Sequence, residues 1–432
     1  MKMANMDDYF DVVIVGTGAA GLYCALNLPA RYRILLLTKQ KADESDSFLA
    51  QGGICMQHGE ADYRPFFDDT MRAGHYENNP ATVDLMIRSS NSIIRDLVRR
   101  GVRFARDDHG ALRFTREGAH SRPRILFHED ITGHEITQTL LNEVLRCENI
   151  ELREHTTLLD FFADASACGG VIAAGPDGEP RAIGAGSVVL ACGGIGGLYK
   201  NSTNFPHITG DAIAMALRHG VACERLDYIQ IHPTTLYSHR KGRRFLISES
   251  VRGEGALLLD KNGNRFTNEL QPRDVVSAAI RAQMEKDGTD HVWEDMRPIG
   301  DEDIREHFPN ILERCEEEGY DPIHEPIPVV PAQHYFMGGI TADLSSRTAL
   351  PRLYACGETC CNGVHGRNRL ASNSLLESLV FAQRAADDIL YGEPPVFTGD
   401  KPDLAPYREQ EPLFAAYRQE VLTAIERSKN HE

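Results

Sequence analysis

The stretch Val12–Gly21, which reads VVIVGTGAAG, decides the fold of this chain. Four apolar residues typical of a buried strand lead into Gly16, Gly18 and Gly21, spaced as G-x-G-x-x-G, and a compact helical pattern follows. In such a unit Gly16 makes the tight turn, Gly18 lets the backbone approach a pyrophosphate, and Gly21 allows helix and strand to pack closely. We therefore predict a Rossmann-like β-α-β unit that binds a dinucleotide. A glycine-rich turn of another α/β protein is the alternative, because the motif alone is weak.

Two later apolar segments predict additional strands of the same sheet. Ser187–Ala191 and Leu353–Ala355 each lead into glycine-containing turns. A long interval between them is richer in proline and charge, which is typical of a domain inserted into a sheet that is completed later. We therefore predict an α/β fold with a Rossmann-like domain over residues 1–225 and 336–395, an inserted α+β capping domain over residues 226–335, and a short C-terminal helical segment over residues 396–432.

Two helical patterns lie near the end of the chain. Apolar residues recur at helical spacing from Ser372 to Ile389, with Ser372 or Ser374 as the N-cap. After a Gly-Glu-Pro-Pro linker, a last amphipathic helix is predicted to carry on one face Leu413, Phe414, Tyr417, Val421 and Ile425.

The composition excludes several classes of protein. The 432 residues are 42% hydrophobic and 25% charged, which is ordinary for a globular chain and excludes disorder and collagen. The net charge of −17 repels nucleic acid phosphates and anionic lipid headgroups, so a small anionic substrate requires a local cluster of cations. The N-terminus shows no basic region followed by an apolar stretch, so we expect no secretory signal, and no run approaches the ~20 apolar residues of a membrane span. We predict a cytoplasmic protein without membrane or nucleic acid partners.

The cysteines predict neither disulfides nor a metal site. Ten are scattered without the paired spacing of a disulfide framework, which indicates reduced thiols used as small apolar residues. Cys356, Cys360 and Cys361 lie close together but lack a second Cys or His pair nearby, so we predict no metal.

A hydroxyl-rich loop, Ser45–Gly53, ends in two glycines. Such a loop can wrap closely around an aromatic cofactor because glycine has no Cβ to clash, although a surface loop explains the pattern equally well. The second strand of the β-α-β unit ends in Lys39 rather than in the Asp or Glu that would hold a ribose. This lysine indicates a different arrangement around the adenosine.

The inserted interval and the residues after it carry side chains suited to gripping a dicarboxylate. Arginine binds a carboxylate bidentately and stays protonated at any working pH. Taken singly, each arginine is equally explained as a solvated surface charge and each histidine as a packing residue. The set is His232, Ser248, Glu249, Arg252, Arg273, His334 and Arg369. Outside this set, Glu117 is either an exposed loop acid or a carboxylate that faces a substrate ammonium.

Motifs along most of the chain carry a family resemblance. The blocks VVIVGTGAAGLYCAL, FLAQGGI, REGAHS, HPTTLY, PRDVVSAAI and NRLASNSLLES follow in order between about Tyr9 and Asp388. In them the chain resembles the L-aspartate oxidases of the succinate dehydrogenase/fumarate reductase flavoprotein superfamily. The resemblance implies FAD-dependent oxidation of L-aspartate to iminoaspartate, with O2 (giving H2O2) or fumarate as acceptor. It further implies the first step of de novo NAD biosynthesis, with quinolinate synthase as the downstream enzyme.

The resemblance also implies which residues hold the cofactor. Relatives that attach FAD covalently use a histidine in the serine-rich loop, and the AQGG glycines align that position with Asp46, so we expect non-covalent FAD. The expected FAD contacts are Gly16, Thr17, Gly18, Ala19, Ala20, Gly21, Lys39, Asp46, Ser47, Phe48, Leu49, Ala50, Gln51, Gly52, Gly53, Asp211, Glu358, Ser374 and Leu375.

For the substrate, the resemblance implies that its carboxylates meet His232, Ser248, His334 and Arg369, with Glu249 beside them. It makes Arg273 the proton donor or acceptor, and Arg252 and Glu117 residues that help place the amino acid. Because arginine stays protonated, action of Arg273 through its charge is an open alternative. A carboxylate at Glu117 would favour aspartate over succinate by charge pairing.

Two rival functions share these features: a soluble fumarate reductase or succinate dehydrogenase-like flavoprotein, and a non-catalytic FAD-binding module. The chain departs from the resemblance at its end, where only about forty residues follow the last helix of the FAD-binding domain. The family usually carries a longer helical C-terminal domain, so this departure leaves open any dimer contact or site closure that relies on that domain.

Overall fold

A computed structural model describes residues 8–239 and 242–430. Within these ranges the strands are β1 (Tyr9–Val15), β2 (Ile34–Leu37), β3 (Ile54–Cys55), β4 (Ile125–Leu126), β5 (Ile150–Arg153), β6 (Thr157–Ala163), β7 (Cys168–Ala174), β8 (Pro180–Leu190), β9 (Cys223–Glu224), β10 (Ile229–Leu236), β11 (Leu257–Leu259), β12 (Val292–Asp295), β13 (Ile327–Phe336), β14 (Gly339–Thr341), β15 (Leu353–Ala355) and β16 (Cys360–Cys361). The helices are α1 (Ala19–Asn27), α2 (Tyr63–Ala73), α3 (Pro80–Arg100), α4 (Thr132–Val144), α5 (Asp211–Arg218), α6 (Glu249–Gly253), α7 (Arg273–Asp287), α8 (Asp301–His307), α9 (Pro309–Glu317), α10 (Asn373–Tyr391) and α11 (Gln410–Lys429).

The strand that leads into the glycine-rich turn, β1, is an inner strand of a seven-stranded sheet. Its strand order is β5-β2-β1-β8-β7-β6, and β15 pairs with the C-terminal end of β8. The pairs among β5, β2, β1, β8 and β15 are parallel, whereas β7 pairs antiparallel with both β8 and β6. Because β1 has a neighbour on each side and is covered on both faces, its apolar run is continuous rather than alternating. The strands expected around Ser187 and Leu353 are β8 and β15 of this sheet.

Helices cover both faces of the sheet. Successive residues of β1 point to opposite sides, so Ile14 joins the core formed with α1, α3, α4 and α10, while Val13 joins the core formed with α5 and α11. Leu376 of α10 and Val421 of α11 are buried in these two cores respectively. The amphipathic helix expected near the end of the chain is therefore confirmed, and its apolar face lies on the sheet.

A second sheet lies in the inserted interval. Its order is β10-β13-β12-β11 and all its pairs are antiparallel. Helices α6 to α9 share a separate core with it around Val251, Ile280 and Ile327. We call β10–β13 and α6–α9 the cap. The expected fold class, a Rossmann-like domain interrupted by an α+β cap and followed by a helical tail, is confirmed; the domain boundaries by residue number stay a prediction.

The start of α10 departs from the sequence expectation. Ser372 holds the N-cap position, but its φ is +62° and its side chain makes no capping hydrogen bond. Its hydroxyl donates instead to Glu117 Oε2 at 2.7 Å. A non-glycine residue in this left-handed region costs of order 1–3 kcal/mol and persists only where its surroundings hold it. The N-cap serine therefore serves the cleft described below rather than the helix.

The ten cysteines are free thiols, as expected. Among the residues that the structure describes, no group of three or more His, Cys, Asp or Glu side chains could hold a metal ion. No helix in the described ranges is long and apolar enough to cross a membrane. Parts of three predicted segments lie outside the described residues: residues 1–7 of the N-terminal segment, 240–241 of the cap and 431–432 of the tail.

Candidate active site

Three glycines bring the first turn of the chain close to its neighbours. Gly16 has a φ of +113°, and a Cβ there would lie 2.0 Å from the carbonyl oxygen of Ala191. A Cβ on Gly21 would lie 1.9 Å from the carbonyl oxygen of Gly16. Gly18 borders the cleft, where a Cβ would meet Ser47 Oγ at 3.1 Å. The fold itself therefore requires Gly16 and Gly21, while Gly18 leaves space open toward the cleft.

The loop Ser45–Gly53 follows the wall of the same cleft. The backbone amide of Ala19, the first residue of α1, donates to Ser47 Oγ at 3.1 Å and ties the loop to the helix N-terminus. Three buried polar atoms of the loop have no hydrogen-bond partner: Ser45 Oγ, Asp46 Oδ2 and Gln51 Oε1. Buried polar groups are nearly always paired, so these atoms fit a ligand that supplies the missing partners.

Lys39 lies just after the end of β2. Its Nζ is 2.6 Å from Asp211 Oδ2 and donates to the carbonyl oxygen of His207 at 3.1 Å. The ammonium also lies 5.0 Å from the ring centroid of Phe414 on α11. Lys39 and Asp211 both line the cleft. The lysine at the end of β2 is therefore paired with a carboxylate from the first residue of α5.

Two further carboxyls of the cleft are poorly solvated. Burial raises the pKa of Asp46 to about 7, although the amide of Phe205 donates to its Oδ1 at 2.9 Å. Burial, together with the charge of Asp46, holds the pKa of Glu358 well above its usual range. Near neutral pH Asp46 can therefore carry a proton and donate a hydrogen bond to a ligand, and Glu358 binds a proton more readily than a solvated carboxyl does.

One cleft runs from the glycine turn to the cap. It holds about 1710 Å³ of empty space, part of which is open to solvent, and its lining extends from Gly16 and Lys39 to His334 and Arg369. A dinucleotide and a small substrate can therefore share it. The sequence-predicted residues that line it are Gly16, Thr17, Gly18, Ala20, Lys39, Asp46, Ser47, Leu49, Ala50, Gln51, Gly52, Gly53, Glu117, Asp211, His232, Ser248, Glu249, Arg273, His334, Glu358, Arg369, Ser374 and Leu375.

Four predicted residues do not line the cleft: Ala19, Gly21, Phe48 and Arg252. Gly21 packs on β1 and Ala19 contributes its backbone amide, while the ring of Phe48 meets His134 edge-on with centroids 4.8 Å apart. Arg252 stands behind Glu249, with its Nη2 3.7 Å from Glu249 Oε2, and donates to the carbonyl oxygen of Glu269 at 2.6 Å. Arg252 therefore contacts Glu249 rather than the cleft itself, and its expected part in placing the amino acid stays a prediction.

Arg273, the first residue of α7, is held by two side chains. Its Nε donates to Glu249 Oε2 at 2.5 Å and its Nη1 donates to Gln230 Oε1 at 2.8 Å. Gln230 Nε2 donates in turn to the carbonyl oxygen of Arg369 at 2.8 Å. Burial alone would raise the pKa of Glu249, but the charges of Arg273 and Arg252 outweigh burial and keep this pKa below its usual value. Glu249 therefore stays ionised and orients the guanidinium of Arg273.

Arg369 is a buried cation that forms no salt bridge with any described residue. Its Nη1 donates to Ser374 Oγ at 2.9 Å, its guanidinium lies 4.4 Å from the ring centroid of Tyr335, and its Nε has no hydrogen-bond partner. Burial, together with the charge of Arg273, lowers its pKa to about 10, so the group remains charged near neutral pH. A buried guanidinium without a counter-ion favours binding of an anion, and a carboxylate matches its paired donors.

His232 and His334 lie edge to face, with ring centroids 5.0 Å apart. Burial, together with the nearby arginine charges, holds the pKa of both rings well below the usual value, so both are neutral. Thr203 Oγ1 is 2.7 Å from His334 Nδ1, and Thr234 presents its carbonyl at 2.9 Å and its amide at 3.2 Å to His232 Nδ1. His334 Nδ1 can accept from the Thr203 hydroxyl, which leaves the ring proton on Nε2 to donate to a carboxylate. His232 Nδ1 lies nearest to the Thr234 carbonyl oxygen, which can only accept, so this ring carries its proton on Nδ1 and its Nε2 is an acceptor.

Glu117 is only 3% exposed, which excludes the exposed loop acid. Its Oε1 accepts from Ser250 Oγ at 2.9 Å and its Oε2 accepts from Ser372 Oγ at 2.7 Å. A Cβ on Gly52 would lie 2.8 Å from Oε1, so a side chain there would displace the Glu117 carboxylate. Burial and the charge of Glu249 raise the pKa of Glu117. A ligand ammonium would compensate this buried carboxylate.

A buried ion-pair network anchors the REGAHS loop. Arg124 is 0% exposed and donates to Asp62 Oδ1 at 3.0 Å and to Asp69 Oδ2 at 2.8 Å. It also donates to His120 Nδ1 at 2.8 Å, which leaves His120 Nε2–H to donate to the carbonyl oxygen of Ala371 at 3.0 Å. Burial and the charge of Arg124 lower the pKa of His120 to about 4, which keeps this neutral tautomer. The network therefore joins the loop to the segment that precedes α10.

Replacing Arg124 with methionine is expected to lower the free energy of unfolding by about 3–5 kcal/mol, because two buried carboxylates lose their counter-ion. Urea unfolding at pH 7, followed by circular dichroism, measures this loss. Arg122→Met is the matched control, since Arg122 is exposed in the same segment and is expected to change stability by less than about 0.5 kcal/mol. Similar losses in the two variants would show that the buried network does not anchor the loop.

Sequence reasoning missed the side chains that hold the predicted site residues in place. Gln230 carried a usable signal, because a polar residue in a buried strand needs a partner and this one stands two positions before His232. Ser250, Thr203 and Tyr335 carried no such signal, since their partners are distant in sequence and isolated hydroxyls are common in turns.

The fold and the cleft define a flavoprotein in which a dinucleotide-binding sheet and a cap enclose a cationic site. Residues 11–375 match the family model described as the FAD binding domain. The chain is 48% identical over 380 residues to the L-aspartate oxidase of Clostridium perfringens, covering 88% of this chain and 86% of that protein. It is 44% identical over 442 residues to the L-aspartate oxidase of Nostoc sp., covering 98% and 76%. The chain belongs to the L-aspartate oxidase family.

A solved relative shares the fold. A quinol-fumarate reductase with menaquinol molecules superposes with a TM-score of 0.84 at 32% identity, covering 95% of this chain and 75% of that one. The expected membership of the succinate dehydrogenase/fumarate reductase flavoprotein superfamily is therefore confirmed.

Proposed function

We propose that this chain binds FAD non-covalently and oxidises L-aspartate to iminoaspartate, the first step of de novo NAD biosynthesis. The observation that carries the proposal is that one buried cleft contains the carboxylate of Glu117 together with the guanidinium groups of Arg273 and Arg369. An amino dicarboxylic acid has the complementary charges, with two carboxylates for the arginines and an ammonium for the glutamate. Membership of the L-aspartate oxidase family supports the same reaction.

The residues around the glycine turn fit FAD. Gly18 leaves the space that a pyrophosphate needs, and the N-terminal amides of α1 favour a phosphate. The unpaired polar atoms of the Ser45–Gly53 loop require partners that a flavin and its ribityl chain can provide. FAD, when bound, accepts the two electrons that the substrate loses. Asp46 has no imidazole nitrogen to offer, which supports non-covalent attachment.

The chain's own residues would bind and orient the substrate. Arg369 and Arg273 would bind the carboxylates, and the neutral ring of His334 would donate its Nε2–H to one of them, with His232 beside it. Glu117 would accept hydrogen bonds from the ammonium. Burial excludes water from these contacts and strengthens each of them, and fixing both ends of the molecule leaves Cα in one place.

The reaction balances with either acceptor. L-Aspartate loses two electrons and two protons to become iminoaspartate; O2 takes them to give H2O2, and fumarate takes them to give succinate. The imine hydrolyses in water, so we propose that an enzyme consumes it directly, and quinolinate synthase is the candidate. The cytoplasmic location stays a prediction.

A soluble fumarate reductase or succinate dehydrogenase-like activity is the second candidate, favoured by the likeness to quinol-fumarate reductase. The FAD-loaded protein is mixed anaerobically with L-aspartate while its absorbance is recorded. Bleaching by L-aspartate, with H2O2 formed on admitting air, supports the proposal. Fumarate reduction with a reduced dye but no bleaching by L-aspartate favours the second candidate. Reaction with neither would make the chain a non-catalytic FAD-binding module.

Gly18→Ala is expected to weaken FAD binding by about tenfold or more while the apoprotein still folds, because the new methyl group narrows the cleft but meets only a flexible serine hydroxyl. Titration by flavin fluorescence, with circular dichroism as the folding control, measures both effects. Gly16→Ala is the contrasting variant, because its Cβ would collide with backbone at a φ of +113° and should prevent folding. Wild-type FAD affinity in Gly18→Ala would place the pyrophosphate elsewhere.

A further inference from the structure

The carboxylate of Glu117 is held from two sides by serine hydroxyls. Ser372, at the start of α10, donates to Oε2 at 2.7 Å, and Ser250, in helix α6 of the cap, donates to Oε1 at 2.9 Å. These contacts connect residues 255 and 133 positions apart in sequence. Glu117 therefore has one oxygen attached to the sheet side of the cleft and the other attached to the cap.

Ser250 also contacts Ser248, which lines the cleft. Ser248 Oγ lies 3.2 Å from Ser250 Oγ and accepts from the backbone amide of Ser250 at 3.2 Å. A serine hydroxyl has one proton and two acceptor lone pairs. Ser250 can therefore donate its proton to Glu117 and accept from Ser248 at the same time. This hydroxyl connects a predicted carboxylate-binding residue with the predicted ammonium-binding residue.

We propose that Ser250 is a positioning residue for substrate selection, which holds Glu117 from the cap so that the cleft prefers a dicarboxylate bearing an ammonium over one without it. The inference rests on the proposed function, since it concerns how Glu117 meets the amino group of L-aspartate. Removing the hydroxyl of Ser250 frees Oε1 of Glu117. It does not alter Arg369 and His334, which are proposed to bind the carboxylates of the substrate. The loss should therefore fall on L-aspartate and spare fumarate.

The electrostatics around Glu117 supply a second readout. Burial and the charge of Glu249 on α6 raise the pKa of Glu117, while the hydroxyls of Ser372 and Ser250 and the charge of Arg273 on α7 lower it. Loss of one donor hydroxyl therefore raises this pKa further. Because only the ionised carboxylate pairs with an ammonium, the acidic limb of kcat/KM for L-aspartate should move to higher pH. Fumarate reduction does not use this pairing and should keep its acidic limb.

The test compares Ser250→Ala, Ser250→Thr and Ser277→Ala in the FAD-loaded enzyme. Ser277, on α7, is a buried cap serine whose hydroxyl donates to the carbonyl oxygen of Ile231 at 3.3 Å. Ser277→Ala therefore removes a buried serine hydroxyl that does not contact Glu117. Ser250→Ala is expected to lower the ratio of kcat/KM for L-aspartate to kcat/KM for fumarate about tenfold, since a hydrogen bond to a charged group is lost. Ser250→Thr keeps a hydroxyl and should show a selectivity ratio close to that of the wild type. Ser277→Ala should leave the ratio unchanged.

Binding of succinate, followed by its effect on the flavin absorbance, reports on the rest of the site without turnover. Its Kd in Ser250→Ala is expected to stay within about twofold of wild type. An unchanged selectivity ratio, or equal losses for both substrates, would overturn the role of Ser250 while leaving the proposed function intact. A wild-type enzyme that does not oxidise L-aspartate at all would overturn the proposed function, and this inference with it.

Discussion

Replacing Arg273 with methionine is expected to lower kcat for L-aspartate oxidation by about 100- to 1,000-fold, the range seen when one preorganised donor is removed from a buried site. The guanidinium donates to Glu249 at 2.5 Å and to Gln230 at 2.8 Å. Its loss removes a cation proposed to bind the substrate and leaves the buried carboxylate of Glu249 without its nearest partner. Rapid-mixing measurement of flavin bleaching isolates the chemical step. Arg281→Met, on an exposed position of α7, is the matched control and should retain full activity.

Arg273→Lys separates charge from geometry at the same position. A lysine keeps the positive charge but lacks the planar fork that donates to Glu249 and to Gln230 from separate nitrogens. We expect kcat to fall about tenfold or more, with a changed pH profile, if Arg273 moves a proton. Near-normal turnover with an unchanged pH profile would remove Arg273 from the proton pathway and leave it a purely electrostatic role.

Glu117→Gln is expected to lower kcat/KM for L-aspartate by about 100-fold while changing fumarate reduction by less than about threefold. The amide keeps the shape of the carboxylate and can still accept a serine hydrogen bond, but it no longer carries the charge that pairs with an ammonium. In a buried site a lost charge pair costs several kcal/mol, and each 1.4 kcal/mol corresponds to about a tenfold change. Steady-state kinetics with both substrates gives the comparison.

The control for this variant is Glu60→Gln, which removes the same charge at an exposed position. It should leave both activities unchanged. Equal losses of aspartate oxidation and fumarate reduction in Glu117→Gln would refute the ammonium-partner role and point instead to general damage to the cleft.

Most of the fold could be predicted from local patterns. The strand, the glycine turn and the helix that begin at Val12 are specified by residues close together in sequence, and α10 and α11 show their apolar faces at helical spacing. The discontinuity of the sheet was also predictable, because β15 has the composition of a buried strand although it follows the cap. The hydrogen bond from the Ser372 hydroxyl to Glu117 was not predictable, because a serine that caps a helix and a serine that faces a cleft have the same sequence pattern.

The candidate site was predictable as a list of residue types but not as an arrangement. Arginines and histidines among glycines indicate binding of an acid, and most of the predicted residues do line one cleft. The sequence offered no way to tell that Arg252 stands behind Glu249 while Arg369, 117 positions later, faces the cleft without a counter-ion. Burial and pairing depend on which elements pack together.

The sequence by itself determined the dinucleotide-binding β-α-β unit and the inserted cap, because glycine spacing and apolar periodicity depend on residues that are near neighbours in the chain. Only the tertiary structure decided that Glu117 is buried rather than exposed and which hydroxyls hold its two oxygens. The physical reason is that these contacts join the loop at residue 117 to α6 and to the start of α10, far away in sequence, and they exist only once the cap lies on the sheet.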